Sequence, residues 1–267
     1  MKPKRTLVIG DIHGAYKALL QILERSSYNL EEDQLIFLGD YVDGWSESFE
    51  VIDYLIEIQK LSKFKPIFLM GNHDVWCKDW LNFGTRHPYW EPQGGKATIE
   101  SYIENEFYKE SKNQQHKDFF NKLHRFYIDE NGNGFVHGGF TSEEGLGYEF
   151  YEGDYYWNRD LWQDAIINHD NFLKTKKLIP GLDKHKEIFI GHTTTGIFKI
   201  KPHYPEYQDK NQPKNGSIIV PMNRCNVWNL DTGAGFEGRL TIMDINTKEY
   251  WQSDLTKKLY KNERGGN

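Results

Sequence analysis

Three short apolar runs open the chain, each stopped by a glycine: Leu7-Val8-Ile9 before Gly10, Leu35-Ile36-Phe37-Leu38 before Gly39, and Ile67-Phe68-Leu69-Met70 before Gly71. Between them apolar residues recur at helical spacing, first Leu19, Ile22 and Leu23, then Val51, Ile52, Leu55 and Ile56. Continuous apolar strands separated by amphipathic helices predict βαβ units and a parallel sheet covered on both faces. Farther along, the pattern loosens. Residues 81–93 mix aromatics with Gly and Pro and read as loop. Gly94-Gly95 opens a helix with Ile99, Tyr102, Ile103 and Phe107 on one side, and a short helix follows around Phe119 to Leu123. Strand character returns at Phe135-Val136 and at Ile188-Phe189-Ile190. The prolines and charges of Lys201 to Asn215 predict a long surface loop. Val227 to Trp251 reads as a strand, a Gly-rich turn and a hairpin with Asn246-Thr247 near its tip. No repeat or linker divides the sequence. We expect an α/β fold with one domain over residues 1–256, carrying helical and loop insertions, and a polar, frayed tail over 257–267.

The informative polar residues sit where the apolar runs stop. Five short motifs do so: Gly10-Asp11-Ile12-His13-Gly14, Gly39-Asp40-Tyr41-Val42-Asp43, Gly71-Asn72-His73-Asp74, His137-Gly138-Gly139 and Gly191-His192-Thr193. In open α/β sheets, sites are built in the crevice beyond the carboxyl ends of the strands, so these residues are expected to converge. Asp11, His13, Asp40, Asn72, His137 and His192 offer carboxylate, amide and imidazole donors, which suit hard or borderline divalent ions. Six ligands exceed what one catalytic metal with an open position takes. They fit two metals sharing a carboxylate, which together keep enough positive charge for a phosphate and a hydroxide. A single Asp or His at a strand end is usually a turn or capping residue; the ordered set carries the inference. Asp74 reads as a supporting carboxylate. His87, His116, His124, His169, His185 and His203 follow no motif and read as surface or packing residues.

Composition adds mainly exclusions. With 39 acidic against 33 basic residues the net charge is -6, which gives no global reason to bind nucleic acid or an anionic membrane. The first apolar run is too short for a signal-peptide core, and none approaches the roughly 18 residues of a membrane span. Cys77 and Cys225 form neither a disulfide framework nor a CxxC pair. A reducing, cytoplasmic setting is the expectation.

Taken in order, GDIHG, GDYVDG, GNHD, HGG and GH resemble the calcineurin-like metallophosphoesterase superfamily. Within it they resemble the phosphoprotein-phosphatase-like branch of bacterial serine/threonine phosphatases and diadenosine tetraphosphatases. The resemblance implies an αββα four-layer sandwich of the metallo-dependent phosphatase type, with the site at its C-terminal edge. It also implies a phosphoric ester hydrolase using two divalent metal ions, manganese first, with iron and zinc as alternatives. Asp11 and His13 would hold one metal, Asp40 would bridge, and Asn72, His137 and His192 would hold the other. A hydroxide between the metals would attack phosphorus in line. His73 would protonate the leaving oxygen as general acid, oriented by Asp43. Asn72 and Arg159, in Trp157-Asn158-Arg159, would bind the substrate phosphate. Thr194 stands where the broader superfamily often has a further histidine, which favours the phosphatase-like branch.

One departure matters. The phosphatase-like motif reads GDxVDRG, and its arginine position is Gly44 here, followed by Trp45. Nothing else reproduces the bidentate grip of a guanidinium on phosphate, so a phosphoprotein substrate is disfavoured and room is left for another substrate shape. The expected partner is a phosphorylated substrate, whether small molecule, nucleotide or phosphoprotein, cleaved as a monoester. The rival is a nucleotide or dinucleoside-polyphosphate pyrophosphohydrolase. A non-catalytic phosphate-binding relative would be expected to have lost ligands, and all six are present. Oligomeric state and membrane partners find no signal in the sequence.

Overall fold

The computed structural model describes residues 2–105, 110–199, 203–207 and 215–266. Most of the predicted loop Lys201 to Asn215, and Phe107, lie outside the described residues. Strands β1 (Arg5–Ile9), β2 (Asp33–Phe37) and β3 (Ile67–Phe68) are parallel, as the apolar runs predict. Helices α1 (Tyr16–Arg25) and α2 (Ser48–Leu61) connect them, and α3 (Asn72–Phe83) leaves the third strand. After α4 (Gly95–Glu104) and α5 (Glu110–Asn121), a second sheet begins with β4 (Phe126–Ile128) and β5 (Gly134–Val136). Helices α6 (Asp154–Trp157) and α7 (Asp160–Thr175) lead to β6 (Ile188–Ile190), β7 (Met222–Arg224) and β8 (Val227–Asn229). The chain then returns to the first sheet as the hairpin of β9 (Thr241–Asp244) and β10 (Tyr250–Gln252), before α8 (Thr256–Leu259).

The sheets run β10-β9-β1-β2-β3 and β4-β5-β6-β8-β7; the parallel trio β1-β2-β3 forms one end of the first, and the parallel trio β5-β6-β8 the centre of the second. Strand periodicity explains how they stack. Side chains alternate between faces, so Leu7 and Ile9 join α1 and α2 in one cluster while Val8 points the other way. Ile188 and Ile190 likewise pack with α7 while Phe189 points inward. Val8, Ile36, Phe135, Phe189 and Met243 form a cluster fed by both sheets. The result is helix, sheet, sheet, helix. Each apolar strand is therefore covered by a helix on one face and by the partner sheet on the other.

Two expectations fail. Ile103 is 71% exposed, because the buried face of α4 is drawn by Thr98, Ile99, Ser101 and Tyr102 instead. The described residues after 256 are not frayed: Tyr260 is buried, its ring stacks on Trp45 at 4.9 Å, and its hydroxyl donates to Glu47. Glu263 then accepts bonds from the Ser46 N–H and hydroxyl, each at 3.0 Å. Polar composition predicted fraying; the carboxylate of Glu263 and the ring of Tyr260 tie the segment down.

Candidate metal centre and active site

The parallel trios end at one edge of the sandwich, which places the loops after β1, β2, β3, β5, β6 and β8 together. Asp40 lies at the centre. Its Oδ2 is 3.7 Å from His13 Nε2 and 3.3 Å from His137 Nε2, and its Oδ1 accepts the His73 N–H at 3.0 Å. Asp40 belongs to two donor groups whose ligand atoms lie within 4.8 Å of one another: one with His13 and His73, the other with His137 and His192. A carboxylate shared between two donor groups is what a bridging ligand requires. Asn72 Oδ1 is 3.1 Å from His137 Nε2, and Asp11 Oδ2 accepts the His192 N–H at 2.9 Å. All six residues singled out as ligands thus meet in one place.

Close approach has a backbone cost, visible in two ways. Of the eight non-glycine residues with positive φ among those described, His13, Asp40, Asp43 and His192 belong to the site. Such conformations cost of order 1–3 kcal/mol each and gather at functional sites. Gly71 and Gly191 permit the carboxylates to sit against the main chain: a Cβ on either would overlap Asp40 Oδ1 or Asp11 Oδ1.

The fit to cations rests on what the buried groups lack. Asp11, Asp40, Asp43, Asp74 and Asp231 are all buried. Asp74 is satisfied, accepting the N–H groups of Asp40 (2.7 Å), Gly71 (2.8 Å) and Tyr41 (3.0 Å), so it ties the second motif to the third. Asp11 Oδ1, in contrast, is buried with no hydrogen-bond partner. Burial, and then the charge of Asp231, hold the Asp11 carboxyl well above the usual range. A buried carboxyl oxygen without a partner, among further acids, is suited to hold a cation. Imidazole orientation agrees. His137 Nδ1 donates to the Leu38 carbonyl at 2.9 Å and His192 Nε2 to the Trp157 carbonyl at 3.2 Å, leaving the opposite nitrogen of each as the ligand atom. Burial lowers His13 to about 4, and burial together with His137 lowers His192, so both are neutral, the form that binds metal. Against burial, Asp40 and Asp11 pull His137 up to about 9; a cation taking that proton's place would release it.

Beside this cluster stands a dyad. His73 Nδ1 donates to Asp43 Oδ2 at 2.7 Å. Asp43 also accepts from Trp90 Nε1 (2.7 Å) and from Thr98 Oγ1 (2.6 Å), so three donors fix its carboxylate in place. Burial opposes charge on His73, but Asp40 and Asp43 raise its pKa above the ordinary value. Arg159 lines the same cavity, of about 270 Å³, with Nη1 3.4 Å from the His192 carbonyl and 3.5 Å from Thr193 Oγ1.

Sequence reasoning missed Asp231 and Trp90. Asp231 follows β8 as the other motifs follow their strands, with an apolar run, Asp, Thr and Gly in order; its signal was hidden in what read as turn chemistry. Burial raises it to about 6. Trp90 lay in a stretch read as loop, and nothing local marks it as the partner of a carboxylate 47 residues away. At the vacant arginine position, Gly44 (φ +104) lies against the closing segment: a Cβ there would come within 3.2 Å of Gly266 N, whose N–H donates to the Gly235 carbonyl at 2.8 Å. Gly266 itself lines the cavity.

Comparison with known proteins gives the same answer. A family model for calcineurin-like phosphoesterases matches residues 4–216. Relatives include the symmetrical bis(5'-nucleosyl)-tetraphosphatases of Coxiella burnetii, 34% identical over 74 residues, and Buchnera aphidicola, 39% identical over 70. These matches take in 28% and 26% of this chain and only 24% of either relative. Solved structures of similar fold include a serine/threonine phosphatase from Saccharomyces cerevisiae (TM-score 0.54, 15% identity, 94% of this chain and 79% of that one). A cold-active protein-tyrosine phosphatase of a psychrophilic Shewanella is another (TM-score 0.52, 17% identity, 95% of this chain and 81% of that one). From the ordered motifs, the sandwich that gathers them and the match over residues 4–216, the chain belongs to the calcineurin-like phosphoesterase family.

Proposed function

We propose that this chain hydrolyses phosphate monoesters at a dimetal centre held by Asp11, His13, Asp40, Asn72, His137 and His192. The observation that carries the proposal is the buried, partnerless Asp11 oxygen beside an Asp40 shared by two donor groups. Two divalent ions held there would lower the pKa of a water between them and polarise the phosphoryl oxygens. Mixed oxygen and nitrogen donors suit manganese, with iron and zinc also accommodated.

The chain's own groups supply the rest. Arg159 lines the cavity as a cation for the phosphate oxygens, and Asn72 contributes a neutral amide that adds no repulsion. His73 holds a proton at Nε2, because Nδ1 is committed to Asp43, and delivers it to the leaving oxygen. Asp43, gripped by Trp90 and Thr98, keeps the imidazole in that tautomer.

Purified protein loaded with manganese should hold two metals per chain and hydrolyse a chromogenic aryl phosphate. Asp40→Asn should lose both properties, and normal turnover by that variant would refute the bridging assignment. A second reading, pyrophosphohydrolysis of nucleotides or dinucleoside polyphosphates, is favoured by the tetraphosphatase relatives. Release of inorganic phosphate from adenosine 5'-monophosphate or an aryl phosphate, against release of a nucleoside diphosphate from diadenosine tetraphosphate, would distinguish the two.

A further inference from the structure

A second cavity opens beside the metal cavity, and the two meet at Thr194, Ile197 and Phe236. The metal cavity, at about 270 Å³, is smaller than ordinary organic-ligand pockets of ~300–1,000 Å³, whereas the neighbour, at about 510 Å³, falls within that range. We propose that this neighbouring cavity is the leaving-group subsite, and that it takes a planar aromatic group esterified to the phosphate. The proposal rests on the phosphoester hydrolase reading above and adds the substrate class.

Geometry limits where the organic part of a substrate can go. On the Gly44 side the metal cavity is walled by the closing segment. Gly266 is bonded to Gly235, and Gly265 and Arg264 line a separate cavity beyond it. On the other side the wall is formed by Ile197 and Phe236, which line both cavities. Both expose apolar surface, 61% for Ile197 and 40% for Phe236, although their backbones are pinned. The Phe236 N–H donates to the Gly233 carbonyl at 3.0 Å, its carbonyl accepts Thr256 Oγ1 at 2.9 Å, and Trp45 Nε1 holds the adjoining Ala234 carbonyl at 2.7 Å. Ile197 ends a 3-10 turn capped by Thr194 Oγ1, which accepts the Gly196 N–H at 3.2 Å. Apolar side chains kept in water on fixed backbone mark a surface prepared for a ligand.

The lining fits a flat ring. Gly233 and Gly238 present bare main chain, Ile219 and Leu255 add aliphatic walls, and Phe236 offers an aromatic ring. Lys258 and Glu237 also line the cavity, with Lys257, whose ammonium donates to the Glu263 carbonyl at 2.7 Å. An aryl ester and a nucleotide share this chemistry.

Leu255 lines the second cavity and not the first, so it separates the two functions. The test uses full-length, manganese-loaded protein and inhibition by methylphosphonate, 1-naphthylphosphonate, ribose 5-phosphate and adenosine 5'-monophosphate. Naphthylphosphonate should bind about tenfold or more tighter than methylphosphonate, the scale expected for burying one ring face. Leu255→Trp fills the cavity and should erase that preference, leaving methylphosphonate affinity, metal content and methyl phosphate turnover unchanged. Should the tryptophan variant not fold, Leu255→Phe gives the same readout in smaller measure. Equal binding of the two phosphonates by the parent protein, or a preference that survives in a folded Leu255 variant, overturns the proposal. If the adenine nucleotide outcompetes ribose 5-phosphate the ring is a nucleobase; if only naphthylphosphonate gains, it is an aryl ester. Metal-loaded protein that binds no phosphonate at all would instead overturn the hydrolase reading, and the subsite with it.

Discussion

Asp43→Asn isolates the contribution of one charge to the acid step. Asp43 is fully buried and joined to His73 at 2.7 Å. Asparagine is nearly isosteric, so its amide oxygen can still accept from His73 Nδ1 while the negative charge is lost. Hydrogen bonds to charged groups contribute about 1.5–3 kcal/mol, twice the neutral kind, and tenfold in rate corresponds to about 1.4 kcal/mol. That difference is about 0.75–1.5 kcal/mol, so if it is expressed when the proton moves to the leaving oxygen, turnover should fall by about 4- to 13-fold for esters with basic leaving groups. Leaving groups that depart without a proton should lose less than about threefold, since the metal ligands are untouched. The assay is kcat/KM across aryl phosphates of graded leaving-group pKa, with metal content and Tm measured on the same samples. A steeper dependence on leaving-group pKa is the expected signature, and His73→Ala should show it more strongly. Uniform losses across the series with metals retained would refute the acid role and leave Asp43 as scaffolding for its loop.

Arg159→Ala should weaken competitive inhibition by inorganic phosphate by about 10-fold or more, as loss of a charge-assisted contact implies, with metals retained; unchanged inhibition would remove Arg159 from the phosphate site. Glu263→Gln should loosen the closing segment. Its bonds to Ser46 are exposed, so the cost is about 1 kcal/mol or less, and limited proteolysis after residue 256 should accelerate with little change in Tm; equal protease resistance would show that the Glu263 carboxylate does not hold the segment. Burial, partly offset by Asp53, lowers His116 to about 4, whereas an unfolded histidine titrates near 6.5. As pH falls the unfolded chain takes the proton first, so this contribution is complete above pH 6.5 and declines toward pH 4, by at most about 3 kcal/mol. His116→Gln should flatten that part of the stability curve in denaturant titrations, and an unchanged slope would count against a neutral, buried imidazole.

What was legible in the sequence was the set of elements whose signal is local. Leu7 to Ile9, Leu35 to Leu38 and Ile67 to Met70 announce strands because each carries its own apolar run and its own stop. The six ligand positions were legible because each follows such a stop. Strands β4 and β7 were not read, since both are three-residue edge strands: Phe126–Ile128 is apolar but too short to show a pattern, and Met222–Arg224 carries two polar residues. Helix α7 was missed too: only Leu161, Trp162 and Ala165 of its sixteen residues are buried, so its apolar stripe is short. Partnerships across the fold were beyond reach for a different reason. Trp90 with Asp43, Glu263 with Ser46, and Gly266 with Gly235 exist only once the sandwich has brought distant loops together.

Gly44 and the closing segment make sense as one change rather than two. An arginine at position 44 would need left-handed backbone at φ +104, where a side chain is strained, and its Cβ would meet Gly266 and His13. Trp45, the next residue, gives its ring to Tyr260 and its indole N–H to Ala234, both parts of the structure that closes this side of the site. On this side of the site the chain therefore presents a packed wall rather than a cationic side chain. A cation at this rim would bind phosphate whatever is attached to it, whereas a wall acts only by excluding shapes. In the subsite proposed above, that shape selection falls to the side where Ile197 and Phe236 line both cavities. Gly44→Arg should accordingly lower stability, because a side chain at φ +104 is strained and its Cβ would crowd Gly266 and His13; unchanged Tm would refute this.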